Sequence, residues 1–188
     1  MNGKMNHVML DLETFGNDFN SIIVQIGAWY FNEQGKLGKK LCINVDSEDC
    51  EKYGLNCTAS TVKWWLQQDN ETIKKLFENP KPLKDSLIIL LDFLKDADYI
   101  WQHSSFDAPI LNNAIKKVGL VNSIHYRTWK DLRSAEYCLG IDKSKFSFVG
   151  KAHYSIDDCL FQIKYLVSGL KRKVKSNDKQ RNKKNLRK

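Results

Sequence analysis

No stretch of this sequence stays apolar for long. The longest run, Leu87-Ile88-Ile89-Leu90-Leu91, falls far below the roughly 18 residues a membrane-spanning helix needs, which excludes a transmembrane helix. The opening residues, Met1-Asn2-Gly3-Lys4-Met5-Asn6-His7, have no apolar core after their one Lys, so no signal peptide is expected. Cysteine is scarce. Cys42, Cys50, Cys57, Cys138 and Cys159 are odd in number and include no CxxC pair. That spacing argues against a zinc site and leaves a Cys50–Cys57 bridge unsupported. Reduced thiols in a cytoplasmic protein are expected.

What is present fits one globular domain. A chain of 188 residues, 42% hydrophobic and 11% aromatic, can build one full core. The net charge of +8 is unevenly spread. Residues 171–188 hold ten of the 30 Lys and Arg and one of the 22 acids, which leaves 20 basic and 21 acidic side chains on the body. The sequence thus divides into a near-neutral domain, 1–170, and a basic tail, 171–188, expected to be flexible. Such a tail suits a polyanion, nucleic acid above all, and serves equally as a solubilising end.

Along the chain, Val8-Met9-Leu10 reads as a buried strand running into Asp11-Leu12-Glu13-Thr14-Phe15. Side chains two apart on a strand share a face, so Asp11 and Glu13 project together. Carboxylates that close repel unless a cation lies between them, and Mg²⁺ or Mn²⁺ suits hard oxygen ligands. Asp-x-Glu alone is short, and a solvated strand end would look the same. Ser21–Phe31 and Lys40–Val45 follow as strands joined by short turns, an antiparallel meander. Helices are predicted over Thr61–Gln68, over Glu71–Glu78 with Asn70 as cap, and, after the Asn79-Pro80-Lys81-Pro82 break, over Leu83–Lys95. Trp64 and Trp65 point about 100° apart on their helix. At least one enters the core, and the other is free to stack on a nucleobase, a contact of ~1–3 kcal/mol. Trp65 is assigned to substrate.

Ala97–His103 is a strand that passes through Ser104-Ser105 into a helix with Asp107 in its first part. In such α/β units, ligands sit beyond the carboxyl ends of strands. Asp107 is therefore either a ligand or an ordinary first-turn acid. Ile124–Trp129 is predicted as a short strand, Asp131 starts a helix over Leu132–Leu139, and Lys143–Gly150 is a loop. Ser155 is predicted to cap a last helix from Ile156 to about Leu170, apolar at Ile156, Cys159, Leu160, Ile163, Leu166 and Val167. Asp158 stands in its first turn with His153 just upstream, where an imidazole can take a water's proton.

These residues together resemble the DEDDh 3′–5′ exonucleases. Asp11-Leu12-Glu13-Thr14 is similar to the first motif and Ser105-Phe106-Asp107 to the second, with His103-Ser104 where the family often has Asn. His153 followed five residues later by Asp158 matches the third, and the spacing selects Asp158 over Asp157. Thr61-Val62-Lys63-Trp64-Trp65-Leu66-Gln67 resembles a subgroup that includes phage exonuclease A and the mycobacterial exoribonuclease-like proteins. The resemblance implies an α/β fold, a ribonuclease H-like mixed sheet flanked by helices. It implies metal ligands Asp11, Glu13, Asp107 and Asp158 holding two divalent ions, Mg²⁺ or Mn²⁺, about 3.5–4 Å apart. His153 would be the general base, and nucleoside 5′-monophosphates would leave the 3′ end of single-stranded DNA or RNA. The likeness to the phage enzyme leans the substrate slightly to DNA, with RNA oligonucleotides close behind. Thr14, Phe15, His103 and Phe106 are placed beside the substrate, Phe15 equally suited to plain packing, while His125 is read as structural or surface. Relatives include dimers, which leaves a homodimer open. The competing readings are a catalytically silent nucleic-acid or polymerase-binding module on the same fold, and a ribonuclease H-like endonuclease or recombinase.

Overall fold

The computed structural model describes residues 3–185, with side chains through Lys173. Strands β1 (His7–Thr14), β2 (Ile23–Phe31) and β3 (Leu37–Asn44) form the expected antiparallel meander. Strand β4 (Tyr99–Gln102) pairs parallel to β1, and β5 (Trp129–Asp131) parallel to β4. The result is one five-stranded mixed sheet, ordered β3-β2-β1-β4-β5, with β1 in the middle. Seven helices accompany it among the described residues: α1 (Ser47–Lys52), α2 (Ala59–Trp65), α3 (Asn70–Leu76), α4 (Leu83–Leu94), α5 (Asp107–Lys117), α6 (Leu132–Cys138) and α7 (Ser155–Asn185).

All eight residues of β1 are buried, and its alternation divides the molecule. Val8, Leu10 and Leu12 point into the larger core, against Leu83, Leu87, Leu90 and Leu94 of α4 and Ile110, Leu111, Ala114 and Ile115 of α5. Each such leucine contributes about 1.5–3 kcal/mol by burial. Met9 points the other way, into a smaller core with Phe31, Leu132 of α6, and Cys159, Ile163, Leu166 and Val167 of α7. Asp11 and Glu13 share the parity of Met9, so they face α7. That helix lies close on the sheet because Gly27 stands opposite Asp11. A Cβ on Gly27 would come within 2.6 Å of the Ser155 carbonyl carbon.

Several local expectations are corrected. Helix α1 was not anticipated; Asp46 caps it through the amides of Glu48 and Asp49. Asp69, not Asn70, caps α3, accepting from the Thr72 amide. The strand expected over Ile124–Trp129 is instead a 3₁₀ turn, Tyr126–Thr128, because the His125 side chain takes the Arg127 amide and ladder pairing begins only at Trp129. Ser155 is the first residue of α7 rather than its cap, and α7 continues past Leu170 through Asn185. Side chains from 174 on, and with them most of the expected flexible tail, lie outside the described residues. Among the described residues no helix is long and apolar enough to cross a membrane.

Candidate active site

The β1–β4 ladder ends at Met9 and Trp101. Beyond it the two parallel strands part, and the Leu12 amide on that edge needs another acceptor. Asp107 supplies one. Its Oδ1 accepts from the Leu12 amide at 3.3 Å and its Oδ2 from the His103 amide at 2.7 Å. The second-motif acid thus bridges the split at the carboxyl ends of β1 and β4. Asp158 comes to the same place from α7. Asp11, Glu13 and Asp158 each offer an oxygen within 4.8 Å of the others. Asp107 is not in that tightest group; its two oxygens accept from backbone amides.

Four carboxyl groups drawn into one partly dry place resist ionisation. Asp11 is 8% exposed and Glu13 9%. Burial pushes Asp11 well above the usual carboxylate range; the charges of Glu13, Asp107 and Asp158 add to it, and a 2.8 Å hydrogen bond from Gln162 Nε2 opposes it. Glu13 rises well above its ordinary value through burial first, then Asp158 and Asp107. Burial lifts Asp107 to about 7, against the two amides it accepts, and Asp158 to about 6. Among the described residues, Asp158 Oδ2 is buried with no hydrogen-bond partner. Converging hard oxygens, carboxyl pKa values raised by burial and mutual repulsion, and an orphaned buried oxygen all fit a divalent cation.

His153 lies on the loop before α7, in the left-handed backbone region at φ 61°. Its ring meets the Trp64 ring edge-on at 4.6 Å and the Trp65 ring at 6.2 Å. Burial lowers its pKa below the ordinary imidazole value, so it is neutral at pH 7 and able to take a proton. Trp65, assigned to substrate from the sequence, is 4% exposed and donates its indole N–H to the Thr14 carbonyl at 2.8 Å. It has no open face for a base; the exposed indole is Trp64, at 39%. Thr14 is buried and donates its hydroxyl to the Gly16 carbonyl, while half-buried Phe15 packs between Trp65 and Phe77. His103 Nδ1 lies 3.7 Å from Asp107 Oδ2, and half-buried Phe106 directly precedes α5.

The family model for 3′–5′ exoribonuclease Rv2179c-like domains matches residues 6–169. The chain belongs to that family. Its members are phosphodiester hydrolases that act from 3′ ends, so the chain carries an exonuclease domain. The solved structures agree on the fold. Escherichia coli exonuclease I, in complex with a dT13 oligonucleotide, is similar at TM-score 0.67 and 10% identity, over 93% of this chain and 43% of that one. The Mg²⁺- and Mn²⁺-bound form of Schizosaccharomyces pombe Pop2p is similar at TM-score 0.56 and 15% identity, over 87% and 82%. The RNase domain of yeast Pop2 gives 0.54 and 11%, over 89% and 76%. The chain thus spans about two fifths of the exonuclease I structures it matches. No curated protein sequence matches it. The family description names RNA, so the lean to DNA finds no support, and none of these likenesses supports a dimer.

The residues that hold this acidic cluster and the start of α7 in place were not singled out from sequence. Gln25 Oε1 accepts from the Ser155 amide at 2.9 Å and its hydroxyl at 2.7 Å, fastening the start of α7 to β2. Gln25 Nε2 in turn donates to Asn44 Oδ1, and Asn44 to the carbonyls of Lys75 and Glu78. Asp157 Oδ2 accepts from the Lys151 amide at 2.9 Å, and Lys151 Nζ reaches Glu71 at 2.9 Å. Asp157 therefore shapes the loop that carries His153. A polar residue inside an apolar strand, as Gln25 is, was the one available signal.

Proposed function

We propose that the chain is a metal-dependent 3′–5′ exoribonuclease that removes nucleoside 5′-monophosphates from single-stranded RNA ends. The observation that carries this is the convergence of Asp11, Glu13 and Asp158 within 4.8 Å, at the split between β1 and β4 that Asp107 bridges. Membership of an exoribonuclease family supports the substrate class, and the metal-bound Pop2p and oligonucleotide-bound exonuclease I support, as likenesses, the ions and the single strand.

Asp11, Glu13, Asp107 and Asp158 are the residues that would hold two divalent ions. When bound, such ions activate water and offset the charge that gathers on the phosphoryl oxygens and the leaving 3′ oxygen. The protein's own part is to gather the carboxylates before substrate arrives. Asp107 is fixed by two backbone amides and Asp11 by Gln162, so neither needs to reorganise. His153, neutral at pH 7, takes the proton of the attacking water. Phe15 and Phe106, half-buried beside the ends of β1 and α5, are the residues that would stand next to the terminal nucleotide. The five free thiols support a reducing, cytoplasmic setting.

A linear and a covalently closed RNA circle of the same sequence, each with Mn²⁺ and with EDTA, test the reaction. The linear strand should vanish into 5′-monophosphates only with the metal, and the circle should survive. A cut circle would mean an endonuclease. Tight binding with neither strand cut would mean the silent module.

A further inference from the structure

A general base must be held where its proton acceptor is wanted, since a misplacement of about 1 Å can cost 10²-fold in rate. In many histidine bases a carboxylate or carbonyl on the second ring nitrogen does the holding. His153 has no such partner: among the described residues no hydrogen bond reaches its ring. Aromatic edges surround it instead. Trp64 meets it at 4.6 Å and 81°, Trp65 at 6.2 Å and 82°, and the two indoles meet each other at 5.0 Å and 75°.

This arrangement also has an anchor. Trp65 Nε1 donates to the Thr14 carbonyl, at the end of the strand that presents Asp11 and Glu13. The backbone of the opposite loop is forced into place: His153 has φ 61° and Gly150 φ 110°, and a Cβ on Gly150 would strike the Asp157 carboxyl at 2.5 Å. The loop thus fixes where His153 leaves the backbone, and the indoles fix where its ring goes. Trp65 is buried and structural, whereas Trp64 keeps 39% of its surface open and has no hydrogen bond from its indole N–H among the described residues.

We infer that Trp64 is a positioning residue for catalysis: its ring holds the His153 imidazole in register with the acidic cluster. The inference rests on the proposed role of His153 as base. It gives the tryptophan pair separate tasks, Trp65 tying α2 to β1 and Trp64 carrying that rigidity to the base.

The test is a double-mutant cycle on single-nucleotide release from a short RNA, with Mn²⁺ saturating. Trp64→Ala should lower kcat about 10-fold or more and leave KM within about 3-fold, because a lost alignment acts on the chemical step. Trp64→Phe, which keeps an edge-to-face contact, should recover most of the rate. In a His153→Ala background, Trp64→Ala should cost nothing further, since the group it positions is gone. Thermal melts should stay near wild type for both Trp64 variants. If KM rises with kcat intact, or if the Trp64→Ala loss is repeated in full without His153, Trp64 stacks on substrate and the inference fails. If His153→Ala alone keeps full activity, the reading of the base itself fails, a distinct result.

Discussion

At the residue scale, the acidic cluster gives the protein's stability a pH dependence. Asp107 is lifted to about 7 and Asp158 to about 6, from an ordinary 3.8. A carboxyl whose folded pKa is raised stabilises the fold fully below its unfolded value, and that contribution is lost as pH rises through the folded value. The metal-free protein should therefore melt at a higher temperature near pH 5 than near pH 8, through the window from about 4 to about 7, as far as this cluster is concerned. Mn²⁺ should reverse the order, because it binds the ionised form. Melting curves at both pH values, with EDTA and with Mn²⁺, check this; a metal-free protein more stable at pH 8 would contradict it. Asp11→Asn removes one charge from the same cluster. It should cost more than the ~10–100-fold that losing even an outer metal partner costs, while the metal-free melting temperature at pH 8 rises. Competition between proton and ion also means that the acid limb of activity should move to lower pH as Mn²⁺ is raised.

At the scale of elements, the site depends on how closely α7 lies on β1 and β2. Gly27→Ala places a Cβ 2.6 Å from the Ser155 carbonyl carbon and 2.7 Å from its Cβ. It should cost about 1–3 kcal/mol of stability by overpacking and a larger share of kcat, since Asp158 and His153 both ride on the displaced end. Denaturant unfolding and steady-state rates separate the two effects. The pieces that carry these residues were legible in sequence where a clear signal supported them: β1 by its apolar run, α4 by Leu83, Leu87, Leu90 and Leu94, and α6 by Asp131. Where a side chain redirects the backbone, periodicity was blind. His125 turned an expected strand into a 3₁₀ turn, and Asp46 opened a helix of six residues, too short to show a period. The acids were legible because strand parity and helix starts place them. Gln25, Gly27 and Gln162 were not, because their partners lie on elements distant in sequence, α7 for Gln25 and Gly27 and β1 for Gln162. Which of the two adjacent indoles enters the core was not legible either: Trp65 does, donating to the Thr14 carbonyl, distant in sequence.

At the scale of the whole molecule, charge is divided along the chain. The body through residue 170 carries 20 basic and 21 acidic side chains, while 171–188 carries ten basic and one acidic. An acidic site on a near-neutral body gives little long-range pull on a polyanion, so the segment from 174 on is expected to supply it. Removing residues 174–188 leaves Arg172 on the carbonyls of Leu139 and Gly140, and the fold should survive. At saturating RNA kcat should hold, while KM rises at low salt and its dependence on salt flattens. An unchanged salt slope would reduce the segment to a solubilising end.

The most direct test of the central claim follows a 5′-labelled single-stranded RNA oligomer on a sequencing gel, with Mn²⁺ for wild type and Asp11→Asn and with EDTA as control. A ladder that shortens one nucleotide at a time from the 3′ end, absent with EDTA and nearly absent with Asp11→Asn, is the expected result. Full activity of Asp11→Asn, or shortening that ignores EDTA, would contradict the assignment of the Asp11, Glu13, Asp107 and Asp158 cluster as the metal-holding catalytic site.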